Sequence, residues 1–166
     1  MSSPRSEGNS IMREPVRDRV DLEVLQRLQQ DGRTTNRALA EAADLAPSTM
    51  LNRVRDLESS AAILGYHARV SLASLGRPLE ALVFVRLRPK SEEIISRFVE
   101  HVWALPDCIG LHLVTGDDDA VLHLAVSDAE RLRQVVIRQI SSFPEVFDER
   151  TSLLFEHRRK AMIEPA

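Results

Sequence analysis

The chain has 166 residues, 43% hydrophobic and 28% charged, with 6 glycines, 8 prolines and one cysteine. That length suits two small modules and is too short for a barrel enzyme or a doubly wound dehydrogenase. A lone Cys108 excludes an internal disulfide framework or a multi-cysteine zinc site. The net charge is −3, so any contact with a polyanion must depend on where the arginines point rather than on a basic excess.

Neither half is basic: residues 21–70 carry six arginines against seven acids, and residues 71–166 carry 12 basic against 15 acidic groups. No apolar run is long enough for a membrane span or an export signal, so the expectation is a cytoplasmic protein without a membrane partner. Residues 1–19 lack an apolar period and read as a flexible tail.

Val20, Val24, Leu25 and Leu28 follow the stripe of one helix that stops at Asp31-Gly32. Thr35 is the expected N-cap of a second helix with Leu39, Ala40 and Ala43 inward. Pro47 suits the first turn of a third, running to Ser59. On that third helix Met50, Leu51, Val54 and Leu57 share one side, while Ser48, Thr49, Asn52, Asp56 and Ser59 share the other, flanked by Arg53 and Arg55. Short hydroxyl and amide side chains of this kind suit base edges in a major groove, and arginine suits guanine or a phosphate.

Residues 63–70 alternate and predict an extended strand, and 71–78 a linker with Gly76 and Pro78. The rest reads strand (79–87), helix (91–105), strand (109–115), strand (120–126), helix (129–143) and strand (148–156), the ferredoxin-like order βαββαβ. Helices then cover one sheet face only. A turn at Gly116-Asp117-Asp118-Asp119 would set His112 opposite His123 and Leu111 opposite Leu124. The second face would be semi-apolar, with Leu82 or Val83 and Phe84, and suited to packing on another subunit.

These residues together carry a family resemblance. Asp18-Arg19-Val20-Asp21, Leu25 to Arg33, Leu45-Ala46-Pro47-Ser48-Thr49, Arg53 to Glu58 and Ile63 to Ala68 resemble the opening half of Lrp/AsnC (feast/famine) transcription regulators. Val114 to Leu122, Phe143-Pro144-Glu145-Val146 and Arg150 to Leu154 resemble its second half. The resemblance implies an α+β protein with a winged helix-turn-helix at 20–70, a linker at 71–78, a ferredoxin-like effector and oligomerisation domain at 79–157 and a tail at 158–166. It implies binding of double-stranded promoter DNA through Ser48, Thr49, Asn52 and Arg53, with Thr35 and Asn36 at phosphates. It further implies an amino-acid effector bound between subunits near Gly116, Asp117, Asp119, Thr151 and Ser152, and homodimers that build octamers or similar discs. Three positions depart from the family pattern: Ala46 lacks a capping hydroxyl, Ala61 stands where glycine ends the third helix, and Asp118-Asp119-Ala120 lacks an aromatic.

No nucleophile motif, phosphate loop or dinucleotide-binding glycine run is present, so no catalytic residue and no cofactor is expected. The five histidines lack metal-ligand spacing, and the three aspartates of the turn are too crowded to surround Ca²⁺; no metal is expected. Two other readings fit the same two-domain order: a siroheme-decarboxylase-like enzyme, and a chromosome-organising protein without an effector.

Overall fold

The computed structural model describes residues 18–164; most of the expected tail at 1–19 lies outside them. Two compact units emerge, one from residues up to Ala68 together with the segment from Arg159, the other Arg69–Arg158.

The first unit holds α1 (Arg19–Gln30), α2 (Asn36–Ala42) and α3 (Pro47–Ser59). Asp18 caps α1 by accepting from Val20 N–H at 2.8 Å, and the Thr35 hydroxyl accepts from Ala38 N–H at 3.2 Å to cap α2. The caps satisfy donors that a helix start leaves orphaned. Val24, Leu39, Ala40, Met50, Val54 and Leu57 are buried together, which places the inner side of each expected helix as its spacing indicated. The turn into α3 passes through Asp44 with φ +52°, a left-handed residue that aspartate tolerates better than most. The segment 159–164 returns to α1, where Ile163 N–H donates to Gln29 Oε1 at 2.9 Å.

Ala61 keeps the left-handed conformation at φ +55° although it is not glycine, and Ala46 offers α3 no side-chain cap. Both ends of α3 are therefore weaker than its hydrophobic side would allow, each by about 1 kcal/mol. The strand expected at 63–70 is absent: the segment is irregular and joins no ladder among the described residues. Strand-forming side chains without a neighbouring strand leave the backbone donors unpaired, so propensity alone builds no sheet.

The second unit runs β1 (Leu79–Leu87), α4 (Glu92–Trp103), β2 (Cys108–Leu113), β3 (Ala120–Val126), α5 (Ala129–Val135), continued by a π-turn at Val136–Ile140, and β4 (Val146–Leu153). The antiparallel sheet has the order β2-β3-β1-β4, the ferredoxin-like arrangement. Ala81, Val83, Val85 and Leu87 of β1 and Leu122 and Leu124 of β3 pack with Phe98, Val102, Leu132, Val135 and Ile140 of the helices. Successive strand residues alternate faces. Glu80, Leu82, Phe84 and Arg86 therefore stand on the open face with Val121 and His123, as the semi-apolar surface required.

The hairpin register is corrected by two residues. His112 pairs with Val121, Gly110 with His123 and Leu111 with Leu122, so His112 does not oppose His123. The third aspartate causes the shift: Asp119 is drawn into the sheet, its N–H donating to Val85 O at 2.9 Å and its Oδ2 accepting from Leu87 N–H at 2.9 Å. The turn thus falls at 115–118 instead of 116–119, and a bulge between Cys108 and Gly110 absorbs the extra residue. β4 begins two residues earlier than expected, because Val146 pairs with Leu87 across an irregularity at Arg86/Leu87.

Candidate functional site

α3 presents an exposed strip of Ser48, Thr49, Asn52, Arg55, Asp56 and Ser59, while Met50, Val54 and Leu57 anchor its other side. Burial of one side fixes the rotation of the helix, so the polar strip faces outward by necessity. With no side chain capping α3, its first-turn amides add donors beside Ser48 and Thr49. Such a strip combines amide, hydroxyl and guanidinium groups on side chains short enough to meet a groove floor.

Arg53 is placed apart from that strip. Its Nη1 stands 2.6 Å from Asp18 Oδ2 and 2.8 Å from Asp21 Oδ1, which ties α3 to the start of α1. These bonds raise the Arg53 pKa. Asp18 is held below the usual carboxylate range, first by the Val20 N–H and then by Arg53. Arg55, named in the sequence only as a flank, is the arginine of α3 that lies exposed on the polar side. The wheel alone held the signal, since two residues of separation turn Arg53 and Arg55 to different sides. At the start of α2, Thr35 spends its oxygen on the cap and keeps its O–H donor, and Asn36 is half-buried.

In the second unit the expected effector residues are not gathered. Gly116 has φ +119° and open space around its Cβ position, so backbone conformation rather than crowding calls for glycine. Asp117 beside it is exposed. Asp119 is buried at 7% exposure and occupied, for besides Leu87 it holds the Lys90 ammonium in an ion pair. Burial pushes the Asp119 carboxyl up, yet the Leu87 N–H and Lys90 outweigh it and hold the pKa below its usual value. Thr151 pairs with Val83 and Ser152 with Leu82, so the pleat turns the two hydroxyls to opposite faces. β4 lies across β1 from the hairpin.

Asp118, by contrast, sits in a charged row on the open face. Its carboxylate lies 3.8 Å from Arg86 Nε and 3.5 Å from Arg150 Nη2, and Arg150 covers the Phe84 ring at 4.5 Å. This alternating lattice across β1, β4 and the hairpin was not legible in the sequence, because its members are separated by 32 or more residues. Among the described residues, no helix is long and apolar enough to cross a membrane.

Comparison with known proteins matches each half of the chain to a family model. Residues 17–60 match the family model described as winged helix-turn-helix DNA-binding, and residues 80–162 match that of the Lrp/AsnC ligand binding domain. The HTH-type transcriptional regulator AldR of Mycolicibacterium smegmatis is 35% identical over 144 residues, spanning 87% of this chain and 84% of that protein. AldR of Mycobacterium tuberculosis is 32% identical over 157 residues, spanning 95% and 88%. Among solved structures, a transcriptional regulator of Neisseria meningitidis in complex with L-Met superposes with a TM-score of 0.81 at 28% identity, covering 87% of this chain and 94% of that one.

Proposed function

This chain belongs to the Lrp/AsnC family and is a DNA-binding transcriptional regulator with an effector-binding domain, and from that membership we propose how its own residues carry the two tasks. The polar strip of α3 enters the major groove, with Asn52, Ser48 and Thr49 at base edges and Arg55 at guanine or phosphate. Arg53 positions α3 through Asp18 and Asp21 instead of touching DNA, while Thr35 and Asn36 meet phosphates at the start of α2. The observation that supports this assignment is the exposure of Arg55 against the double ion pair of Arg53.

The effector is an amino acid held at an interface between copies of the chain. Its ammonium pairs with Asp117, and backbone amides of the Gly116 turn take its carboxylate. Support comes from the bound L-Met of the Neisseria meningitidis relative, and from Thr151 and Ser152 standing on opposite faces of β4, so that one chain does not turn both toward a single pocket. The semi-apolar open face, with Leu82 and Phe84, is the surface that joins two copies, and the dimers build a higher oligomer such as an octamer. Two readers held on one dimer raise the effective concentration of the second, so binding needs no basic excess. The protein acts in the cytoplasm as a regulator and not as an enzyme, the activity that its relatives' names carry; the siroheme-decarboxylase reading has no support among them.

Titration of the full chain against DNA from its own upstream region tests the reader. Asn52→Ala is expected to cost about 1–3 kcal/mol of specific binding, and Arg55→Ala to reduce the salt slope by about one. Arg53→Ala is expected to lower the melting temperature and leave the salt slope unchanged. A reduced slope with unchanged melting in Arg53→Ala reverses the two arginine roles. A thermal-shift panel of amino acids tests the effector, since a ligand of the native state raises the melting temperature; a flat panel discards it.

A further inference from the structure

On the open face of the sheet, at the end away from the hairpin turn, three side chains of the described residues converge with metal-ligating atoms. His123 Nε2 stands 2.8 Å from Glu80 Oε2, and His157 Nδ1 stands 3.6 Å from the same oxygen. All three donor atoms lie within 4.8 Å of one another. We propose that Glu80, His123 and His157 form a transition-metal site, suited first to Zn²⁺, that fastens the segment after β4 to the open face of the sheet.

The placement follows from the ladder. Leu82 pairs with His123 and Glu80 with Ala125, which makes Glu80 and His123 diagonal neighbours on one face. Gly110 stands opposite His123, and a Cβ there would sit 3.2 Å from the His123 Cβ, so glycine leaves the imidazole its room. The third ligand is brought in by the backbone: Leu154 N–H donates to Glu80 O at 2.9 Å, carrying the chain along β1 until His157 reaches the rings. The two imidazoles meet edge to face with centroids 5.3 Å apart.

Two imidazole nitrogens and one carboxylate oxygen form a donor set that Zn²⁺ accepts in tetrahedral geometry, with water in the fourth position. Ligand atoms around tetrahedral Zn²⁺ lie about 3.3 Å from one another, given metal–ligand distances of about 2.0–2.1 Å. The observed spacings straddle that value, so a change of side-chain torsion suffices. Within one chain Glu80 and His123 are half-buried while His157 is exposed, so the fourth position is open to water or to a donor of a second copy packed on this face. None of the three residues belongs to the DNA or amino-acid readings, but they share the open face with Leu82, which stands opposite His123.

The test uses the full chain, free of any affinity tag and stripped with a chelator. Titration with Zn²⁺ in a calorimeter is expected to show one ion per chain with micromolar or tighter affinity. Co²⁺ in its place should give the intense visible bands of tetrahedral coordination. His157→Ala, at an exposed position, and His123→Ala should each weaken Zn²⁺ binding by at least about tenfold and abolish the Co²⁺ bands. His112→Ala, on the same face outside the cluster, should bind as the wild type does. Absence of Zn²⁺ uptake by the wild type, or equal affinity in His157→Ala and wild type, overturns the proposal.

Discussion

At Arg53 two carboxylates compete with any external anion for one guanidinium, and both hold it at hydrogen-bond distance. An arginine so engaged orients a helix; Arg55, free of those acids, can exchange water for phosphate. Asp119 is the acidic counterpart, buried and bonded to Leu87 N–H and Lys90. Asp119→Ala should cost about 1–3 kcal/mol, because it strands a buried N–H, and denaturant midpoints measure this. Asp18 and Asp119 both have pKa values lowered from the ordinary 3.8. The native state therefore gains from their ionisation above that pH and loses the gain as pH falls through the lowered values. Stability is expected to hold steady toward pH 5 and fall below about pH 4; Asp119→Asn should flatten that acid limb in a series of melts.

At the scale of elements, α3 is the helix whose two ends are least secured. Ala61→Gly relieves a left-handed alanine at φ +55° and should stabilise the chain by about 1 kcal/mol. Ala46→Ser supplies the missing cap and should add about as much. The two sites lie at opposite ends of the 13-residue helix, so their effects should sum, which a double mutant in urea checks. The sheet tells the complementary story. Its strand order followed from the alternation of helical and extended periods, but the hairpin register turned on one carboxylate. Asp119 satisfies the Leu87 N–H near the end of β1 and thereby moves the turn by a residue; no periodicity reports such a bond.

At the scale of the molecule, the open face remains to be covered. Leu82 and Phe84 lie there under partial cover from Arg150, and a second copy packed on it would bury apolar surface that one chain leaves wet. Light scattering is expected to give a dimer or a multiple of it, and Leu82→Asp to yield smaller species with weaker DNA binding, since two linked readers become independent ones. A wild-type monomer that binds DNA at full strength would remove the open face from the account.

Much is legible in the sequence alone. Three short helices, their inward residues, the cap at Thr35, the Pro47 start of α3 and the alternating order of the second unit all rest on local periodicity and local hydrogen bonds, which a linear string carries. The fate of 63–70, the role of Arg53 and the meeting of Glu80 with His123 and His157 did not show. Each depends on partners 30 or more residues away or on a neighbouring strand. Alternation can say which face a side chain takes; which distant group waits on that face is settled by how strands pair and helices pack, and on that depends whether a charge binds a ligand or its own fold.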